Sequence, residues 1–335
     1  MTAVPSVPRA FIWRRLHSLM GLWLVLFLCE HLLTNSQAAL WLGDNAKGFV
    51  ASVNALHNLP YLQAIELCLL GIPFLIHMVW GVQYLLTAKS NSGSSVVASR
   101  PQMPLGRNRA YTWQRITSWI LLICIIGHVA KFRFLEYPEK IPMGGKTYYA
   151  VKISVDPGLY TVADRLGALL YDPAMIAEEV AKLNARQAEL SLVEVAKGIK
   201  EEVGPQSEEY SSQKGLILNA AQHYLIQSSF VQKLQQQKLS SNQVLGVTEE
   251  FGVASLLTVR DTFKSPLYIG LYTLFVLAAV FHACNGFWTF LITWGWVLKM
   301  AAQRAWVAVS AVLMAILLFL GLAAIWGTYW INLRY

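Results

Sequence analysis

The sequence predicts an all-α membrane protein, a five-transmembrane-helix bundle with a large extramembrane insert between helices 3 and 4. Three observations carry that prediction. Apolar residues make up 55% of the 335 residues and charged residues only 14%, and the mean hydropathy is +0.43. Five stretches are each long enough to cross a hydrocarbon core of about 30 Å, which takes about 20 helical residues. Between the third and fourth of them, from about Leu135 to Lys264, the chain turns polar.

The spans run approximately over Ser18–Leu42, Leu59–Ala88, Tyr111–Phe134, Leu267–Val297 and Trp306–Leu333. Trp13, Trp41, Tyr61, Trp113, Tyr268, Trp296 and Tyr329 sit near their ends, as amphipathic rings do at the two membrane interfaces. The first span is too long, and runs on too smoothly into patterned sequence, for a cleaved signal peptide. In the second, Pro73 deprives the Leu69 carbonyl of its helical donor and predicts a kink. Cys29, Cys68, Cys124 and Cys284 all lie within spans. They imply no disulfide framework, and small apolar packing is their expected role.

Charge predicts the orientation. Arg9, Arg14, Arg15, Lys89, Arg100, Arg107, Arg109, Lys299 and Arg304 occupy the N-terminus and the second and fourth connections, with Arg115 just inside the third span. No Asp or Glu accompanies them there. The first connection and the C-terminus hold only Asp44, Lys47 and Arg334. By the positive-inside rule the N-terminus is cytoplasmic, and the C-terminus and the insert are external. The net charge of +8 therefore describes membrane topology and is no argument for nucleic acid binding.

The insert, residues 135–264, holds 16 acidic and 13 basic residues, net −3, and the rest of the chain 14 basic and 3 acidic, net +11. It reads as mainly helical. Pro173–Val203 has helical composition, with Met175, Ile176, Val180, Leu183, Leu190 and Val193 set among charges. Gly204-Pro205 breaks the pattern, Ser/Glu-rich sequence follows through Gln213, and a second helix is expected over Leu216–Leu239. Alternation around Lys146–Val155 suggests a strand. The insert carries no metal, nucleotide or catalytic motif, and its His223 reads as a surface or packing residue.

Four histidines, His31, His77, His128 and His282, lie in four different spans. An ionisable group in the bilayer core costs a few kcal/mol, so each is a candidate functional residue. At 1.5 Å per residue, His31 lies about 16 Å and His128 about 9 Å from the outer ends of their spans, and His77 and His282 about 25 Å from theirs. That sorts them into an outer and an inner pair. Two imidazoles at each of two depths suit the axial positions of two haem irons. One zinc ion would want its ligands at one depth. Unrelated polar contacts between helices explain a lone histidine better than a set paired in depth. No Cys-x-x-Cys-His occurs, so such haems would be held by coordination and packing.

The surroundings add to this reading. Gly81 and Gly286 follow His77 and His282 at i+4, on the same helix face, where a porphyrin plane could lie. Gly127 precedes His128, and Asn35 stands at i+4 from His31. Ordinary helix packing explains such glycines equally well. Arg14, Arg15 and His17 gather at the inner mouth, with Lys131 and Arg133 at the outer one, as propionate partners or interfacial anchors. Glu66, amid Ile65, Leu67 and Leu69 on the outer side, is a candidate proton carrier for a quinone. Glu30 neighbours His31 but points about 100° away from it.

The segments Arg14-Arg15-Leu16-His17-Ser18, Glu30-His31-Leu32-Leu33-Thr34-Asn35 and Leu59-Pro60 leading to Glu66 resemble the dihaem cytochrome b subunit of succinate dehydrogenase. So do Ile76-His77-Met78-Val79-Trp80-Gly81, Thr87-Ala88-Lys89 and Phe281-His282-Ala283-Cys284-Asn285-Gly286-Phe287-Trp288. The resemblance is to the single-anchor, five-helix type found with menaquinone in bacteria, over roughly residues 10–134 and 265–333. It implies two b-type haems, on His31 with His128 and on His77 with His282, the pairing that depth also gives. It further implies a cytoplasmic flavoprotein with covalent FAD, an iron–sulfur subunit, and quinone as electron acceptor. Two departures stand out: the insert replaces a short loop, and Glu30 replaces an uncharged polar residue.

The expected role is therefore a membrane anchor in a bacterial cytoplasmic membrane. It would pass electrons from the iron–sulfur subunit through both haems to quinone, with no succinate chemistry of its own. A cytochrome b of another dehydrogenase or of a fumarate reductase is the nearest alternative. A proton-coupled transporter using the histidines and Glu66 as a relay is the alternative from a different class.

Overall fold

The computed structural model describes residues 7–40, 44–87, 106–200 and 208–335. In chain order these form α1 (Arg9–Leu40), α2 (Lys47–His57), α3 (Leu62–Glu66), α4 (Ile72–Thr87), α5 (Gly106–Val129), β1 (Glu139–Met143), β2 (Lys146–Ser154), α6 (Leu159–Arg165) and β3 (Leu169–Tyr171). There follow α7 (Pro173–Lys200), α8 (Glu208–Gln236), β4 (Gln243–Thr248), α9 (Phe251–Phe263), α10 (Pro266–Thr293) and α11 (Met300–Leu322). π-Helical segments at Leu67–Gly71, Ala130–Leu135 and Ala323–Asn332 join α3 to α4 and prolong α5 and α11. Trp41, Leu42, Ala88, Lys89, Arg100 and the Gly204-Pro205 break lie outside the described residues.

Five helical stretches are long and apolar enough to cross a membrane: Arg9–Leu40, Leu62–Thr87, Arg109–Leu135, Pro266–Thr293 and Met300–Asn332. This is an all-α, multi-pass membrane bundle, and only helices or closed barrels satisfy every backbone group inside lipid. The chain divides into two units, Met1–Leu135 with Thr262–Leu333, and Glu136–Asp261 with Arg334–Tyr335.

In the membrane unit α10 packs against α1, α5 and α11, and α1 also against α4 and α11. Sequence sets where these helices begin and end. Pro266 opens α10 at its first position, behind an extended Ser265, where proline's missing N–H costs nothing. Gly295, at φ +75, closes it in the left-handed conformation that glycine adopts without strain. Small residues let the backbones approach. A Cβ on Gly327 would lie 2.5 Å from Ala39 Cβ, and one on Gly321 would lie 2.7 Å from Val276 Cγ1. Asn332 Nδ2 donates to the Ala38 carbonyl at 2.9 Å, tying the π-helical tail to α1.

The second span departs from a simple proline kink. Its π-helical turn, Leu67–Gly71, ends just before the buried Pro73. The Leu69 carbonyl, freed by that proline, accepts the indole N–H of Trp23 on α1. The first connection, which the sequence reading left without structure, contains α2, which has Phe49 buried.

The insert unit is mainly helical, as expected, and also contains a small sheet. Four antiparallel strands run in the order β1-β2-β4-β3. β2 covers the alternating stretch that suggested a strand. β4 is buried almost throughout, and such a strand shows no alternation to read. Pro142 is tolerated because β1 is an edge strand. Ala150, Leu245 and Val247 pack with Ile176 and Leu183 of α7 and with Phe230, Val231 and Leu234 of α8. Tyr149 meets Phe251 of α9. The second expected helix is α8, which begins earlier than Leu216, at Glu208, within the Ser/Glu-rich stretch. His223 is exposed, as expected of a surface residue. Arg260 of α9 is 0% exposed and grips Asp156 with two bonds of 2.7 and 2.6 Å. Arg334 and Tyr335, counted in sequence with the last span, belong to this unit: the Arg334 carbonyl lies so close to Gly158 that any Cβ there would meet it at 1.7 Å.

Candidate functional site

α1 carries His17 and His31, α4 carries His77, α5 carries His128 and α10 carries His282. Packing of these helices brings the four intramembrane rings together in two couples. The His31 and His128 ring centres lie 5.9 Å apart with planes at 88°. Those of His77 and His282 lie 6.1 Å apart at 84°. These are the couples that depth along the helices predicts. Among the described residues no three or more His, Cys, Asp or Glu side chains converge on a metal-sized site. The imidazoles thus form two pairs and not one four-ligand centre.

Three of the four rings are held through Nδ1. His77 Nδ1 lies 3.1 Å from the His17 carbonyl, an acceptor only, so this nitrogen carries the proton. His282 Nδ1 lies 3.3 Å from Ser118 Oγ. That hydroxyl already donates to the Gln114 carbonyl at 2.7 Å, so its oxygen accepts from the imidazole. His128 Nδ1 lies 3.2 Å from the Tyr272 hydroxyl. His31 is held less firmly: the Asn35 amide donates to the His31 carbonyl at 2.7 Å and only approaches Nδ1, at 3.5 Å. In His77 and His282, with Nδ1 occupied as a donor, Nε2 is the nitrogen left for coordination, the arrangement found at metal-bound histidines.

An amide network locks α5 to α10 beside His282. Trp288 Nε1 donates to Asn285 Oδ1 at 2.9 Å, which turns the Asn285 Nδ2 toward Gln114 Oε1 at 2.8 Å. The Gln114 Nε2 is thereby directed to the His282 carbonyl, 3.2 Å away. Sequence reasoning missed Gln114, Ser118, Asn285 and Tyr272 as supports. Gln114 and Asn285 carried a usable signal, because a side-chain amide inside a span is as conspicuous as a histidine.

The glycines sort differently from expectation. Gly81 faces His17 Cε1 at 3.7 Å and Gly286 faces Gln114 Nε2 at 3.9 Å, measured from an added Cβ, and Gly127 faces nothing within 4 Å. The tight position is Gly21, not singled out in the sequence, where a Cβ would lie 2.9 Å from His77 Cε1.

At the end of the bundle where α1 begins, His17 stacks on His77, ring centres 4.1 Å apart and planes at 10°. Arg15 places its guanidinium 3.6 Å from the Phe11 ring centre and 5.9 Å from that of Trp294. A cavity of about 420 Å³ is lined here by Ala10, Phe11, Arg14, Arg15 and Thr293. The buried His17 Nδ1 and Trp294 Nε1 have no hydrogen-bond partner among the described residues. At the opposite end of the bundle, Glu66 is not a lone carboxyl amid apolar neighbours: Arg133 donates to it at 2.6 Å. Lys131 sits 4.4 Å from the Tyr268 ring centre. Glu30 accepts from Thr34 at 2.8 Å.

These residues fit haem. An imidazole nitrogen binds a transition metal at about 2.0–2.1 Å, so an iron between two collinear imidazoles sets the ring centres about 6.3 Å apart. The observed 5.9 and 6.1 Å stand within a few tenths of that. The unpartnered buried nitrogen of His17, whose ring stacks on His77, is of the kind a propionate would engage.

Over 126 residues the chain is 36% identical to a protein named succinate dehydrogenase cytochrome b558 subunit, from Bacillus subtilis (strain 168). That stretch is 37% of this chain and 56% of the relative, so the likeness spans little more than half the relative's length. No family model and no solved structure matches the chain.

Proposed function

We propose that this chain is the cytochrome b subunit that anchors a succinate dehydrogenase and conducts electrons from its iron–sulfur subunit to quinone, menaquinone being the expected species. The observation that carries the proposal is the meeting of four intramembrane histidines as two facing couples. The relative's name supports the same reading. His31 and His128 would hold an outer haem, His77 and His282 an inner one. When bound, each haem supplies a one-electron carrier, and two of them at two depths give a path across the membrane.

The chain's own residues prepare these places. His17 and Ser118 fix two imidazoles in one tautomer and orientation, and Tyr272 orients a third. The Gln114–Asn285–Trp288 network holds α10 against α5 and so fixes the helix that carries His282. Arg15, His17 and Trp294 offer positive charge and donors to an inner propionate. Glu66, with Arg133 beside it, would take up or release protons for quinone at the outer end. All three π-helical segments lie toward that end, and such segments often mark functional positions. The basic inner face would receive the iron–sulfur subunit, with its flavoprotein partner beyond, and the insert would stand outside.

Reduced-minus-oxidised spectra and haem-to-polypeptide ratios of the wild type and four single variants test this. Replacing His31 or His128 should remove one haem and spare the other; replacing His77 or His282 should remove the second. A wild-type chain without a haem band would give the histidines and Glu66 to a proton-coupled transporter. Losses that cross the pairs would overturn the ligand assignment.

A further inference from the structure

We propose that Ser118 and Tyr272 are positioning residues, one for each haem, each tuning the redox potential of its own haem without affecting the other. The inference rests on the haem reading above and concerns residues outside the sequence motifs quoted for it.

Ser118 is committed by its own geometry. Its hydroxyl proton goes to the Gln114 carbonyl at 2.7 Å, which leaves only lone pairs to face His282 Nδ1 at 3.3 Å. The hydroxyl thus acts as an acceptor and fixes His282 with its proton on Nδ1. Tyr272 meets His128 Nδ1 at 3.2 Å. Its ring is braced by Phe132, Phe263 and Phe275, with ring centres 6.2, 5.3 and 5.9 Å away. Such packing places the phenol oxygen without demanding that it carry a hydroxyl, so Phe should keep the shape and remove only the bond.

An acceptor on Nδ1–H raises electron density at Nε2 and makes the imidazole a more basic ligand. A more basic ligand favours the ferric state over the ferrous. Removing the acceptor should therefore raise the midpoint potential. Ser118 lies against an inner ligand and Tyr272 against an outer one, so the two effects should separate. The His77 bond to the His17 backbone carbonyl cannot be removed by a side-chain change, which leaves Ser118 as the adjustable contact of the inner pair.

The experiment is a redox titration of both haem bands in membranes containing the full complex, for wild type, Ser118→Ala, Ser118→Thr and Tyr272→Phe. The bands are assigned to inner and outer haem by the histidine variants above. Ser118→Ala should shift only the inner haem upward, Ser118→Thr should return it toward wild type, and Tyr272→Phe should shift only the outer haem upward. Loss of just the corresponding haem supports the same positioning role in a stronger form. Unchanged potentials with both haems retained, shifts of the wrong haem, or loss of both haems would overturn the inference. Absence of haem from the wild type overturns this inference together with the proposed function, whereas unmoved potentials overturn this inference alone.

Discussion

The indole N–H of Trp23 on α1 donates to the Leu69 carbonyl, the acceptor that Pro73 leaves without a helical donor. One proline thus creates a polar group inside the membrane that a neighbouring helix must satisfy. Trp23→Phe should destabilise the α1–α4 contact by about 1 kcal/mol, within the range of interhelical hydrogen bonds in membranes. Pro73→Ala restores an N–H to the helix, so the cost of Trp23→Phe should shrink in that background. A double-mutant cycle on thermal stability measures the coupling; additive costs would show that the two residues act independently.

This contact also marks how far the sequence could be read. The five spans followed from length and hydropathy, because a bilayer imposes both on every crossing helix. The histidine couples followed from depth, because the rise per residue is fixed. Proline's effect on the Leu69 carbonyl was legible, but its partner was not, since helix rotation and neighbour choice come from packing. Gly21 went unread for the same reason: its significance depends on His77 of another helix, 56 residues away in sequence and adjacent only in the fold. The Arg133 partner of Glu66 was hidden likewise, though both residues stood out as charges near one membrane face. In the insert, β4 escaped because a strand buried on both sides carries no period-two signal.

Gly21→Ala should selectively disturb the inner couple. Its Cβ would lie 2.9 Å from His77 Cε1 and 3.2 Å from Nδ1, and His77 Nδ1 is tied to the His17 carbonyl one turn before Gly21 on the same helix. The overpacking is worth about 1–3 kcal/mol. Inner haem occupancy should fall while the outer haem stays. Gly127→Ala, with nothing within 4 Å of the added Cβ, serves as control and should keep both haems. Equal haem content in the two variants would remove Gly21 from the site.

Asp156 and Arg260 should govern the stability of the insert. The guanidinium is fully buried and donates two short bonds to one carboxylate. Removing one partner of a buried pair costs about 3–5 kcal/mol, mostly through the charge left behind. Asp156→Ala should therefore speed protease cleavage of the insert in the full-length protein, while Arg260→Met, which leaves a smaller uncompensated group, should cost less. Both haem bands should persist in each. Unchanged cleavage in Asp156→Ala would show that the remaining contacts of Arg260 suffice.

Glu66 and Arg133 can be separated into a brace and a proton carrier. Glu66→Gln should slow quinone reduction by about 100-fold, the low end of what a positioned proton-transfer group contributes, with both haems retained. Exchanging the two residues, Glu66→Arg with Arg133→Glu, keeps an ion pair but moves the carboxylate to the other span. A brace would work as well either way round. The proposed function expects the exchanged protein to fold, to bind both haems, and to remain slow. Full activity in the exchanged protein would leave Glu66 a structural residue.

The position of that pair also predicts an energetic consequence. If quinone is reduced beside Glu66 at the outer end, electrons from a cytoplasmic iron–sulfur subunit cross most of the bilayer, from the negative inside to the positive outside. The membrane potential then assists each of them by about 2.3 kcal/mol per 100 mV. Succinate is a weak reductant for menaquinone, so assistance of this size decides which way the reaction runs. An uncoupler should therefore slow succinate-driven menaquinone reduction in intact cells or energised vesicles, and an imposed potential of the same sign should restore it. Glu66→Gln should lower the rate under both conditions without changing that dependence, because the substitution alters proton delivery and leaves the electron's path intact. A rate indifferent to the uncoupler would move quinone reduction to the inner face, where His17, Arg14 and Arg15 already gather.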